Sequence, residues 1–193
     1  MQKIMFNDQY GLTDAVLTDR KTQTRIIAMR SAEDAQVLDK LELKTGDKRM
    51  IQYIIDKYSR YKVGETLAVA QSLKDLSYDG KDTTSGHIWG LDKTPAWTNK
   101  MFVVASQCKN FIRITNIRLE RLQDISDEDC IKEGIIEDSP GVQYSFPTEI
   151  GYCGQYPFGT PKAAYAALID KVSGKGTWEK NPWVFVYDFE LVK

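Results

Sequence analysis

The chain has 193 residues, 42% hydrophobic, 27% charged and 11% aromatic, with a formal net charge of −1 and a pI near 5.9. That length supports one domain with a sizeable core, and the near-zero charge excludes a protein that coats nucleic acid by bulk electrostatics, so any such contact is local. The longest apolar stretch, Trp183 to Phe189, falls far short of the roughly 20 residues a membrane helix needs, and the N-terminus turns polar before a signal region forms; no membrane contact and a cytoplasmic location are expected.

Lys3 to Phe6 reads as a short strand, and Asn7 or Asp8 caps a helix through Leu12, Ala15, Val16 and Leu17. The β-branched Thr22, Thr24, Ile26 and Ile27 predict an extended segment, which displays the basic run Arg20-Lys21-Thr22-Gln23-Thr24-Arg25. Ser31 with Asp34 approximates a capping box for a helix to about Leu43, and a second short helix or turn follows at Met50 to Tyr58. Val63-Gly64-Glu65 is a turn into a strand at Thr66 to Ala70. Asp75 to Asn99 reads as a long loop carrying Trp89 and Trp97, with a strand at Met101 to Ala105 after it. From Phe111 a further strand changes phase between Ile114 and Ile117, which predicts a bulge near Thr115 and Asn116. Ser126 and Gly134 start and stop a helix, Pro140 to Pro161 is irregular and tyrosine-rich, and Thr160-Pro161 opens another helix. The last strand, Trp183 to Val192, is apolar on both faces and is therefore expected at the sheet's centre, its aromatic row belonging to the core.

Three cysteines, Cys108, Cys130 and Cys153, lack the spacing of a thiol pair or zinc knuckle and read as reduced and structural. A single histidine, His87, excludes Cys/His metal sites and helical zinc motifs, and it reads as a loop residue; no metal or cofactor is expected. Between residues 20 and 30 stand four basic residues (Arg20, Lys21, Arg25, Arg30) and no acid, which makes this run the candidate site. As a binding module, Arg20, Lys21, Arg25 and Arg113 would contact phosphate beside Thr24 while Trp89 or Trp97 stacks on an unpaired base. Another reading is a protein partner bound by the Tyr/Pro/Gly stretch at 140–160.

The basic run after a first helix, the Gly64-Glu65 turn, the Arg118-to-Ser126 segment and the closing Asn181-Pro182-Trp183-Val184-Phe185-Val186 strand together resemble the ASCH (activating signal cointegrator homology) domain. The family's Gly-x-Lys-x-x-Thr-x-Arg run is matched by Lys21 and Thr24, with Asp19 at the Gly position, Ile26 at the Arg position and Arg25 one place early. The longer form is similar to members associated with phages and prophages. The resemblance implies an α+β fold, a PUA-like mixed β-barrel with peripheral helices, spanning 1–193 with insertions at about 31–60, 75–99 and 138–160. It implies RNA or nucleotide binding, or else an amidohydrolase acting on an acetylated cytidine-type nucleoside, or a ribonuclease. In the hydrolase branch a Lys, a Thr and a Glu cooperate. Lys21 and Thr24 fill two of these roles, Thr115 stands where the family has its Glu, and Glu65 is the substitute the resemblance suggests.

Overall fold

The computed structural model describes residues 1–28, 48–77, 93–139, 141–148, 151–152 and 158–192. Its frame is a mixed five-stranded sheet in the order β1-β3-β4-β9-β2, made by β1 (Lys3–Ile4), β2 (Gln23–Ile27), β3 (Thr66–Val69), β4 (Phe111–Arg121) and β9 (Trp183–Val192). The pair β1–β3 is parallel and the rest are antiparallel.

The apolar run that predicts a central strand does occupy that place. β9 lies between β4 and β2, and Val184, Phe185, Val186, Tyr187 and Phe189 are all buried. Both faces of this strand are covered, which is what its lack of alternation requires. β4 shifts register between Ile114 and Asn116. The extra residue is Thr115, exposed together with Asn116, while Ile112, Ile114 and Ile117 stay in the core.

Helices α1 (Leu12–Leu17), α2 (Lys48–Tyr58), α3 (Leu73–Ser77), α4 (Asp127–Lys132), α5 (Pro161–Ser173) and α6 (Thr177–Lys180) surround the sheet. Ser126 caps α4 by accepting from the Asp129 amide, and Thr160 caps α5 by accepting from the Ala163 amide, with Pro161 at its first position. No helix among the described residues is long and apolar enough to cross a membrane.

Three expectations change. The strand expected at Met101 to Ala105 is instead a pair of tight turns, Lys100–Phe102 and Ala105–Gln107. The Lys3 ammonium takes the carbonyls of Lys100, Met101 and Val103 at 3.0, 2.7 and 2.7 Å, which curls the backbone around one cation and leaves it unavailable to a sheet. α3 reaches into the loop expected from Asp75, and two small hairpins fall within and just before the stretch expected to be irregular from Pro140. In one, β5 (Ile136–Ser139) pairs with β6 (Gln143–Ser145), and in the other β7 (Pro147–Thr148) pairs with β8 (Gly151–Tyr152). The helix expected from Ser31 lies outside the described residues, as do Trp89, His87 and Cys153.

The α+β class is as expected, but hydrogen bonds do not close the sheet among the described residues: β1 and β2 are its two edges. Both edges nevertheless border one cavity, with α5 along its side, so the sheet is curled enough to bring them to the same space.

The turn that feeds β2 sets the site's geometry. At the end of α1 the Ala15 carbonyl accepts from both Arg20 and Lys21 amides at 2.8 Å, and Asp19 takes a left-handed backbone with φ of 62°. Glycine is the residue that enters that region without steric cost. A β-branched residue there should strain the turn, so Asp19→Val is expected to lower stability by about 1–2 kcal/mol, whereas Asp19→Gly should stay within about 1 kcal/mol of the parent. Urea unfolding midpoints check this, and a Val variant as stable as the parent would show that the turn does not need its left-handed residue.

Candidate functional site

The turn drives Lys21 inward rather than into solvent. Its neighbour Thr22 is clamped on both sides, donating from its amide to the Lys132 carbonyl at 3.0 Å and accepting at its carbonyl from the Phe189 amide at 2.9 Å. Lys21 is 2% exposed, and its ammonium donates to Glu133 twice, to Oε2 at 2.6 Å and to the backbone carbonyl at 2.8 Å. Glu133 follows the last residue of α4 and is itself buried. Gly134, with φ of 105°, comes next, and a Cβ there would lie 3.7 Å from the Lys21 Cδ, so the lysine stem runs directly alongside its backbone.

Arg25, on the buried side of β2, is the hub of the cluster. Its Nη1 donates to Glu133 Oε1 at 3.0 Å and to Gln23 Oε1. Nη2 donates to Glu120 Oε1 at 2.7 Å and to Asp129 Oδ2 at 3.0 Å, and Nε donates to Glu120 Oε1 at 3.2 Å. A guanidinium has five N–H donors, and each of these is used inside the protein. Asp129 also accepts from Arg118 at 2.9 Å.

Burial sets the protonation tendencies, modified by these partners. Burial lowers the Lys21 ammonium below its usual range, with Glu133 opposing and Arg25 and Arg20 adding to the fall. For Arg25 burial acts downward, but Glu133, Tyr165 and Glu120 outweigh it and hold the guanidinium above its usual range. Burial pushes Asp129 up, while Arg25 and Arg118 outweigh it and keep the carboxyl below the usual carboxylate range. Burial pushes the Cys130 thiol up to about 12, in keeping with an inert structural cysteine.

Beside this cluster lies a cavity of about 150 Å³. Ile4 and Phe6 wall it from the β1 side, Thr24 and Ile26 from β2, and Tyr165 and Leu168 from α5, with Lys21, Arg25 and Glu133 also at its border. Thr24 is half-buried, and its hydroxyl has no hydrogen-bond partner among the described residues. Lys21 keeps one of its three N–H donors unused by Glu133.

The residues singled out from the sequence do not form one surface. Lys21, Thr24 and Arg25 share the cavity, whereas Arg20 is half-buried and donates to the Gly134 carbonyl at 3.0 Å. Arg113 is exposed on β4 and lies 3.6 Å from Glu190. Trp97 is half-buried in the tight turn Pro95–Trp97. Glu65 does not meet Lys21: its carboxylate accepts from the Lys62 amide at 2.9 Å, closing its own turn, and it is absent from the cavity wall. Thr115 is the exposed bulge residue. The carboxylate that does meet Lys21 is Glu133, which no motif of the sequence singles out; its only local signal is a place one turn after Asp129 at the end of a helix. No protein-family model, curated protein or solved structure matches this chain.

Because the Asp129 carboxyl sits lower in the folded chain than in the unfolded one, its stabilising contribution is full above the ordinary carboxylate range and is lost as pH falls through the lowered value. Asp129→Asn should therefore be less stable than the parent at neutral pH, with the gap shrinking on acidification between about pH 5 and pH 1. Urea unfolding across that range reads it directly; a gap independent of pH would mean that the pairing with Arg25 and Arg118 contributes nothing through charge.

Proposed function

We propose that this chain is a PUA-like hydrolase of a small acylated nucleoside, held in the cavity between β1, β2 and α5. The reading rests on one observation: a buried lysine and a buried carboxylate lie 2.6 Å apart at the wall of a cavity that Thr24 also borders. The resemblance to ASCH domains supplies the Lys and Thr at the matching positions, and Glu133 supports the role left open by Thr115.

In this scheme the nucleophile is the Thr24 hydroxyl or a water beside it. Glu133 takes the proton from the attacking oxygen as a bond forms to the acyl carbon. The carbon–nitrogen bond then breaks, and the Lys21 ammonium delivers a proton to the departing amine. Transfer from the protonated Glu133 to the neutral Lys21 returns the pair to its starting state. Where Thr24 is the nucleophile, a second attack by water frees the acyl group. Such work suits a lysine whose charge is made costly by burial.

Charge favours a nucleoside over a polynucleotide, and size admits only its acylated base to the cavity. A cavity of about 150 Å³ takes a single six-membered ring, well below the roughly 300–1,000 Å³ of drug-sized sites. Arg25 has every donor occupied, and Lys21 already faces a carboxylate, so neither is a free cation for a phosphate. RNA binding through the same residues therefore requires breaking these pairs.

Incubation with N4-acetylcytidine should release acetate, and Lys21→Ala or Glu133→Gln should each cut the rate by about 10²-fold or more. Glu65→Gln should leave it unchanged. Absence of turnover across a panel of acylated nucleosides would overturn the hydrolase. Steeply salt-dependent binding of a single-stranded RNA, weakened in Lys21→Ala, would instead support phosphate contacts.

A further inference from the structure

Glu133 is shared. One carboxylate oxygen faces Lys21 at 2.6 Å and the other faces Arg25 Nη1 at 3.0 Å. We infer that Arg25 is a positioning residue, which holds half of the Glu133 carboxylate away from Lys21 and so keeps the Lys21 ammonium able to release its proton into the cavity.

Geometry carries this reading. Around Lys21 stand Glu133 from the end of α4, Arg25 from β2, Arg20 from its own turn, the Phe6 ring at 5.9 Å and Tyr165 across the cavity from α5. Around Arg25 stand Glu120 from β4, Asp129 and Glu133 from the α4 side, Gln23 on its own strand and the Tyr165 ring at 6.0 Å. Arg118 reaches the same Asp129 oxygen as Arg25, at 2.9 Å, and Lys132 reaches the other at 3.4 Å. Without Arg25, three carboxylates would lose their shared cation, and both oxygens of Glu133 would be left to Lys21. In low-dielectric surroundings that surplus of negative charge would lock the ammonium in its charged form. The planar fork matters as well as the charge, because a guanidinium reaches Glu120, Asp129, Glu133 and Gln23 together, and an ammonium with three donors does not.

Arg25 also contributes to folding, so the test must read something a merely structural residue would not move. The ionisation midpoint of Lys21 serves, followed by NMR of the full chain carrying ¹³C at the lysine ε-carbons and assigned with Lys21→Met. In Arg25→Gln the Lys21 midpoint should rise by about one pH unit or more. Arg25→Gln/Glu120→Gln removes one charge of each sign, which protects folding, and should still show a rise, smaller than in Arg25→Gln, because both Glu133 oxygens are left to Lys21. Glu120→Gln alone leaves the Arg25–Glu133 contact in place and should leave the midpoint where it is. Arg25→Lys should recover part of the parent value. An unchanged or lowered midpoint in both Arg25→Gln backgrounds overturns the inference, as does a parent midpoint at or above that of ordinary lysine. The inference rests on the hydrolase reading for its purpose only. The titration needs no substrate, so a raised midpoint without nucleoside turnover would refute that reading and leave the role of Arg25 standing.

Discussion

Burying a lysine and an arginine side by side is the constraint on which this structure depends. Each ion is costly to remove from water, and neither would stay inside without carboxylates placed to within hydrogen-bond distance. Lys21, Arg25, Glu133, Asp129 and Glu120 meet that requirement together, with contacts from 2.6 to 3.2 Å. A well-packed apolar cluster of the same volume would hold the fold as firmly, so a network of this kind is weak evidence for stability alone. It is better evidence of a site.

The rest of the fold can be read as the scaffold that meets this constraint. β9 is buried on both faces and fixes β2 on one side and β4 on the other, which brings Arg25 and Glu120 from two different strands to the same place. The left-handed Asp19 turns the chain at the end of α1 so that Lys21 enters the interior, and the clamp on Thr22 ties that turn to the end of α4. Gly134 supplies the positive φ at which α4 gives way to the next strand, beside the lysine stem. α5 then lays Tyr165 over Arg25 and completes the cavity wall.

Much of the frame was legible from periodicity and caps. The central β9, the bulge at Thr115, the Ser126 and Thr160 caps and the extended segment after Lys21 all follow from local pattern. The tight turns at Lys100–Phe102 did not, because they are set by Lys3, nearly 100 residues away, whose ammonium competes with the sheet for those carbonyls. The site was half legible for the same reason. Lys21 and Arg25 stand out in the sequence as part of one basic run, whereas Asp129 and Glu133 are two among many acids at a helix end and nothing local marks them. Their meeting is a tertiary fact across more than 100 residues, and Glu65, nearer in sequence and suggested by resemblance, closes a local turn instead.

A cluster of basic residues without nearby acids in sequence suggests an anion site, but in the folded chain acids far away in sequence face two of these cations. Sequence windows count charges along the chain, whereas the field at a ligand depends on which charges face one another in space. Arg25 gives all five donors to protein acceptors, and Lys21 gives two of three to Glu133. What the cavity meets is therefore a buried ion pair with its charge largely compensated, one remaining ammonium hydrogen, and a threonine hydroxyl with no partner among the described residues. A polyanion gains little from such a wall, whereas a neutral, polar acyl group on a small ring can use each of these features.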